Sequence, residues 1–129
     1  MTVTAQSARD WLAAYGDAWR QRSPQRAAQL FASDCRYHET PFAPPEVGRD
    51  GVAAYWQAVP DGQADVEFDF RVVAVAPPEV VAHWRAAFTR TATGARVRLD
   101  GMFLLEFDDA GLCRTLREWW HADETPRRG

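Results

Sequence analysis

Carboxyl and phenol groups are the chemistry-bearing side chains that fall at patterned positions in this sequence. Strand side chains alternate between two faces. Cys35, Tyr37 and Glu39 therefore share one face of a short strand, and Leu116, Glu118 and Trp120 share one face of the last strand. Tyr15 lies on the aromatic face of an N-terminal helix. A carboxyl group in apolar surroundings keeps its proton to higher pH, and a neighbouring phenol can stabilise developing negative charge, so such a set could perform acid–base chemistry. Each residue also has a plainer reading: Tyr15 as core, Glu39 as a solvated loop acid before Thr40-Pro41, and Glu118 as half of an ion pair with an arginine such as Arg90. Asp100 has outward parity unless a bulge shifts its register. His38 alternates away from Glu39, though it could rotate towards a pocket mouth. His83 and His121 take outward parity as well. Three scattered histidines without matching carboxylate spacing predict no metal site.

These groups need a scaffold, and the composition supplies one. The chain has 129 residues, 47% hydrophobic and 26% charged, enough for one domain with a real core. Six Trp point to a thick core, a pocket lining or an interface. All basic residues are Arg and are interleaved with acids at a net charge of −3, so no nucleic-acid-binding stripe exists. Cys35 and Cys113 are isolated and read as two buried thiols, with a disulfide between them as the alternative. No apolar run approaches a membrane span and the first ten residues lack a leader-like apolar stretch, so a cytoplasmic location is expected.

The periodicity changes once along the chain. Ser7 to Asp10 has the form of a capping box, followed by Trp11, Tyr15, Ala18 and Trp19 on one helical face. Ser23-Pro24 opens a second short helix running through Leu30 and Phe31, and Cys35 to Glu39 is a short strand. The loop Phe42 to Pro45 is stiffened by proline. A third helix after Gly48 carries Val52, Tyr55, Trp56 and Val59. From Ala64 the period is two, giving strands to about Val75, over Val80–Ala92, Arg96–Phe107 and Leu112–His121. The ordered core is expected over about residues 5–122, with 123–129 a fraying polar tail. Helices followed by a meander of long strands make the fold class α+β.

Several short patterns combine into a resemblance. Trp11-x-x-x-Tyr15-x-x-x-Trp19, Leu30-Phe31-Ala32-x-Asp34, Gly48-x-x-Gly51-Val52-x-x-Tyr55-Trp56, Asp100-Gly101, Phe107-x-x-x-Gly111 and Leu116-Arg117-Glu118-Trp119-Trp120 follow one another in order. From about Ala8 to His121 the chain resembles the nuclear transport factor 2-like superfamily in its SnoaL-like branch, related to ketosteroid isomerase and polyketide cyclases. The resemblance implies a cone, with N-terminal helices packed on a strongly curved, mostly antiparallel sheet that encloses an apolar pocket.

Comparison with ketosteroid isomerase sets Glu39 at the general base and Tyr15 at the oxyanion donor. The essential acid of the isomerase and the cyclases falls on Phe103 here, and the resemblance turns Glu118 inward as its substitute. Trp19, Tyr37, Trp56, Trp84, Phe88, Phe103, Leu116 and Trp120 are expected to line the pocket, with His38, Asp100 and Arg90 as secondary polar candidates. Such a pocket would bind or transform a small apolar, cyclic or polyketide-like ligand by cofactor-free isomerisation, cyclisation, dehydration or hydrolysis. The alternative is a non-catalytic binding protein of the same fold. Met102, Leu104, Thr115, Arg117 and Trp119 would form the outer sheet face, and a homodimer through it is expected.

Overall fold

The computed structural model describes residues 2–127. Helix α1 (Ala5–Arg20) is capped by Thr4, whose hydroxyl accepts from the Ser7 N–H at 3.0 Å while the Thr4 N–H donates to the Ser7 hydroxyl at 2.8 Å. Ser7 is thus the third helical residue of the capping box and not its cap. Ser23 and Pro24 start α2 (Pro24–Ala28) as the sequence indicated, but the helix stops before Leu30. The Leu30 carbonyl instead accepts from the Trp11 indole at 2.8 Å and from the Cys113 N–H at 3.0 Å. Those tertiary bonds draw the backbone into β1 (Phe31–His38), four residues earlier than the alternation alone suggested. After the proline-rich loop come β2 (Glu46–Val47), α3 (Gly48–Trp56) and α4 (Ala58–Gly62). Pro60 lacks the N–H that would bond to the Trp56 carbonyl, so the expected single helix breaks in two.

Four long strands complete the chain: β3 (Gln63–Ala76), β4 (Glu79–Arg90), β5 (Arg96–Phe107) and β6 (Cys113–Thr125). They join β1 and β2 in one six-stranded sheet of order β2-β1-β6-β5-β4-β3, in which only β1 and β6 run parallel. Strand β6 continues past His121. Asp123, Glu124 and Thr125 pair with Arg98, Val97 and Arg96, and Asp123 and Glu124 are ion-paired with Arg98 and Arg90. The polar residues assigned to a fraying tail are therefore partly strand, because cross-strand arginines neutralise them.

Register breaks in β3 between Ala64 and Glu67 and between Val72 and Ala74, with Asp65 at φ 51°, bend the far half of the sheet. Helix α1 packs across β3 and α3 against β1, so the core fills the space between helices and sheet. Two glycines permit this packing. A Cβ on Gly16 would lie 2.6 Å from the Phe68 ring, and one on Gly101 would lie 2.7 Å from the Trp84 indole and 2.8 Å from the Trp119 carbonyl. Among the described residues, Cys35 and Cys113 are free, buried thiols, and no helix is long and apolar enough to cross a membrane.

Candidate active site

A cavity of about 310 Å³ lies between the helices and the inner sheet face. Helix α1 contributes Tyr15 and Trp19, and β1 contributes Tyr37, with Glu39 just beyond its end. Helices α3 and α4 supply Tyr55, Trp56, Ala58 and Val59. The sheet supplies Gln63 from β3, Trp84, Phe88 and Arg90 from β4, Val97 and Leu99 from β5, and Glu118, Trp120 and Ala122 from β6. A larger open groove of about 600 Å³ crosses the outer face, but it is lined by charges that pair with one another, such as Asp69 with Arg85 and Arg98 with Asp123. Chemistry is better sought in the inner cavity, where apolar walls surround a few polar groups.

Glu118 is the polar centre of this cavity. Its residue is 7% exposed, and among the described residues no arginine or histidine nitrogen pairs with it. Burial, then the nearby charge of Glu39, pushes its carboxyl well above the usual carboxylate range. The register explains its position. Glu118 sits directly opposite Phe103 on the same inward face, one strand across from where the resemblance expects an acid. On its other side β1 pairs Tyr37 with Leu116 and His38 with Arg117, where the ladder ends. Glu39 is the next residue; it lines the same cavity, and its charge acts on Glu118. Arg90, the expected partner of Glu118, is bound to Glu124 at 3.0 Å instead.

Three phenols stand beside the two acids. The Tyr15 and Tyr37 hydroxyls share a 2.8 Å hydrogen bond in full burial. Both phenols are pushed well above their ordinary pKa, first by burial and then by Glu118. Tyr55 is raised by burial, by Glu118 and by Glu39. Tyr15 is also hemmed in by the rings of Trp11, Trp19, Trp56, Phe68 and Phe103. Trp19 donates to Gln63 at 2.8 Å, whereas the buried indole N–H groups of Trp56 and Trp84 have no acceptor among the described residues.

The structure thus gathers Tyr15, Trp19, Tyr37, Glu39, Trp56, Trp84, Phe88, Arg90, Glu118 and Trp120 around one space. Phe103 and Leu116 do not line it; both are fully buried packing residues of the adjoining core. Asp100 points outward and its Oδ1 accepts from His83 Nε2 at 2.7 Å, with no bulge to turn it inward. His38 lies on the other face beside Arg36 and Arg117, where burial and those cations lower its pKa. Tyr55 and Gln63 complete the polar lining without having been singled out as site residues. Tyr55 shared a helical face with Val52, Trp56 and Val59, which was the available signal. No metal-competent group of three or more His, Cys, Asp or Glu occurs among the described residues.

The family model of the SnoaL-like domain matches residues 12–115, most of the chain. The chain belongs to the SnoaL-like domain family. Chains of similar structure number 334, and so widespread a fold fixes no reaction by itself. One is a hypothetical protein with a ketosteroid isomerase-like fold from Catenulispora acidiphila DSM 44928, solved in complex with trimethylamine. It is 14% identical, with a TM-score of 0.75 over 91% of this chain and 86% of that one. No curated protein matches this SnoaL-like domain. The family model shows the membership, and the structural likeness shows the fold.

Proposed function

We propose that this SnoaL-like domain binds a small, largely apolar molecule in the inner cavity and moves a proton on it without a cofactor. Glu118 is the group that exchanges the proton with the ligand. Glu39, at the end of β1 and less buried, passes protons between Glu118 and water. Burial holds the proton on Glu118 to higher pH than an ordinary carboxyl, which suits a proton donor. The observation that carries this reading is Glu118 itself: a buried acid in an apolar cavity with no cation paired to it among the described residues. Structural acids are normally paired, and working ones need not be. The Tyr15–Tyr37 hydrogen bond gives the site a rigid phenolic wall.

The test is proton–deuterium exchange at acidic carbons of a panel of small cyclic ketones and lactones, followed by NMR in D₂O. Wild type is expected to catalyse exchange for at least one member, and Glu118→Gln to slow it by about 10²–10⁴-fold while ligand binding persists. Binding without exchange for every member would remove the catalytic reading. The second reading, a binding protein of the same fold, rests on Tyr15, whose hydroxyl is committed to Tyr37 and enclosed by rings. Our reading also includes a homodimer through the outer sheet face, where Trp119 is 48% exposed beside half-buried Met102 and Leu104.

A further inference from the structure

We propose that the cavity selects a small organic cation, an ammonium group carried on apolar substituents. The inference rests on the reading of Glu118 as the working acid and names the ligand class it serves. Two features of the cavity lead to it. The first is the charge balance of the lining: Glu118 and Glu39 face the same space, and the sole basic lining residue, Arg90, is bound to Glu124 at 3.0 Å. Among the described residues nothing positive pairs with either acid. A positive charge arriving with the ligand would supply what the protein leaves out. The second is the wall. Trp19, Trp56, Trp84, Phe88 and Trp120 surround the space, and ring faces attract cations through their quadrupoles. The protein already uses this attraction once, with the Arg90 guanidinium 5.7 Å from the centre of the Phe88 ring. At about 310 Å³ the space is at the small end of ligand sites, which favours a compact cation.

The charge balance is explicit. In the empty cavity burial and the charge of Glu39 favour the protonated form of Glu118. When a fixed cation enters, the O–H bond of Glu118 breaks, the electron pair stays on the carboxylate beside the cation, and the proton leaves to bulk buffer by way of Glu39. The other titratable groups on the lining are Tyr15 from α1, Tyr37 from β1 and Tyr55 from α3, all raised and neutral, and Arg90 from β4. The lining residues of α4, β3 and β5 do not titrate.

Titration calorimetry with choline and with its uncharged carbon isostere, 3,3-dimethylbutan-1-ol, separates charge from shape. Runs at several pH values and in buffers of unlike ionisation heat count the protons released. Choline is expected to bind at least about tenfold tighter than the isostere. Its affinity should rise by up to about tenfold per pH unit while Glu118 remains protonated in the free protein, with up to one proton released. In Glu118→Gln, checked for folding by its thermal melt, both the proton release and the pH dependence should vanish. Equal or tighter binding of the isostere to wild type would overturn the cation inference and leave the proton-transfer reading standing, as that reading is judged by carbon exchange. Failure of both compounds to bind wild type would overturn it equally. Choline binding with the same pH dependence in Glu118→Gln would overturn the assignment of Glu118 as the acid that meets the cation.

Discussion

Glu118 pays for its position with pH-dependent stability. Its carboxyl titrates higher in the folded chain than in the unfolded one, so folding favours the protonated form. Such a group stabilises the fold fully below its unfolded pKa, and that contribution disappears as pH rises through the folded value. Each unit of difference is worth about 1.4 kcal/mol. Glu118→Gln keeps the shape and cannot ionise, so it should melt roughly 3–5 °C higher than wild type at pH 8, with the gap closing as pH falls towards 4.5. Melting curves across this range check it, and a gap that does not change with pH would contradict the burial of a protonated acid. At this scale the sequence was partly legible. Strict alternation on β6 sets Glu118 on the face of buried Leu116, and that parity holds because no bulge interrupts the strand there. Tyr55 and Gln63 escaped because their roles depend on which helix and strand end meet Glu39 and Trp19, and side-chain spacing within one element carries no information about that meeting. Phe103 and Leu116 were assigned to the lining by correct parity, but parity separates faces and does not separate a cavity wall from the core beside it.

Elements fix the site through one rung of the sheet. Trp84, Gly101 and Trp120 are paired neighbours across β4, β5 and β6, and the absence of a side chain at Gly101 lets the Trp84 indole lie flat over β5 against Phe103, with ring centres 5.1 Å apart. Gly101→Ala forces a methyl group to within 2.7 Å of that indole and within 2.8 Å of the Trp119 carbonyl, and the latter is backbone that cannot swing away. The expected cost is about 1–3 kcal/mol of stability, measurable by urea denaturation, together with altered ligand affinity as Trp84 is pushed into the cavity. Element types and order were readable because the period switches from helical to alternating near Ala64. Boundaries were less so. The α2 end and the β1 start are set by hydrogen bonds to the Leu30 carbonyl from Trp11 and Cys113, both remote in sequence. Likewise, the last turns of β6 are held by Arg90, Arg96 and Arg98, so a stretch that looks solvated by composition is strand by pairing.

The molecule as a whole presents two sheet faces of different character. The inner one closes on α1 and α3. The outer one carries cross-strand charges of both signs and a half-exposed Trp119 next to Met102 in the register. Mixed charges around an apolar centre suit a two-fold copy of the same surface, since each sign can meet its opposite. Sedimentation of wild type at micromolar concentration is expected to give a dimer, and Trp119→Asp a folded monomer; a monomeric wild type would refute the assignment. The six tryptophans have a last, practical consequence. Four of them, Trp19, Trp56, Trp84 and Trp120, border the cavity, while Trp119 faces away and Trp11 lies deep against Phe31 and Phe107. The chain is therefore its own optical reporter: whatever enters the cavity displaces solvent or charge beside two-thirds of its ultraviolet emitters, and a label-free emission change should announce the arrival of any true ligand from an unbiased collection of small molecules.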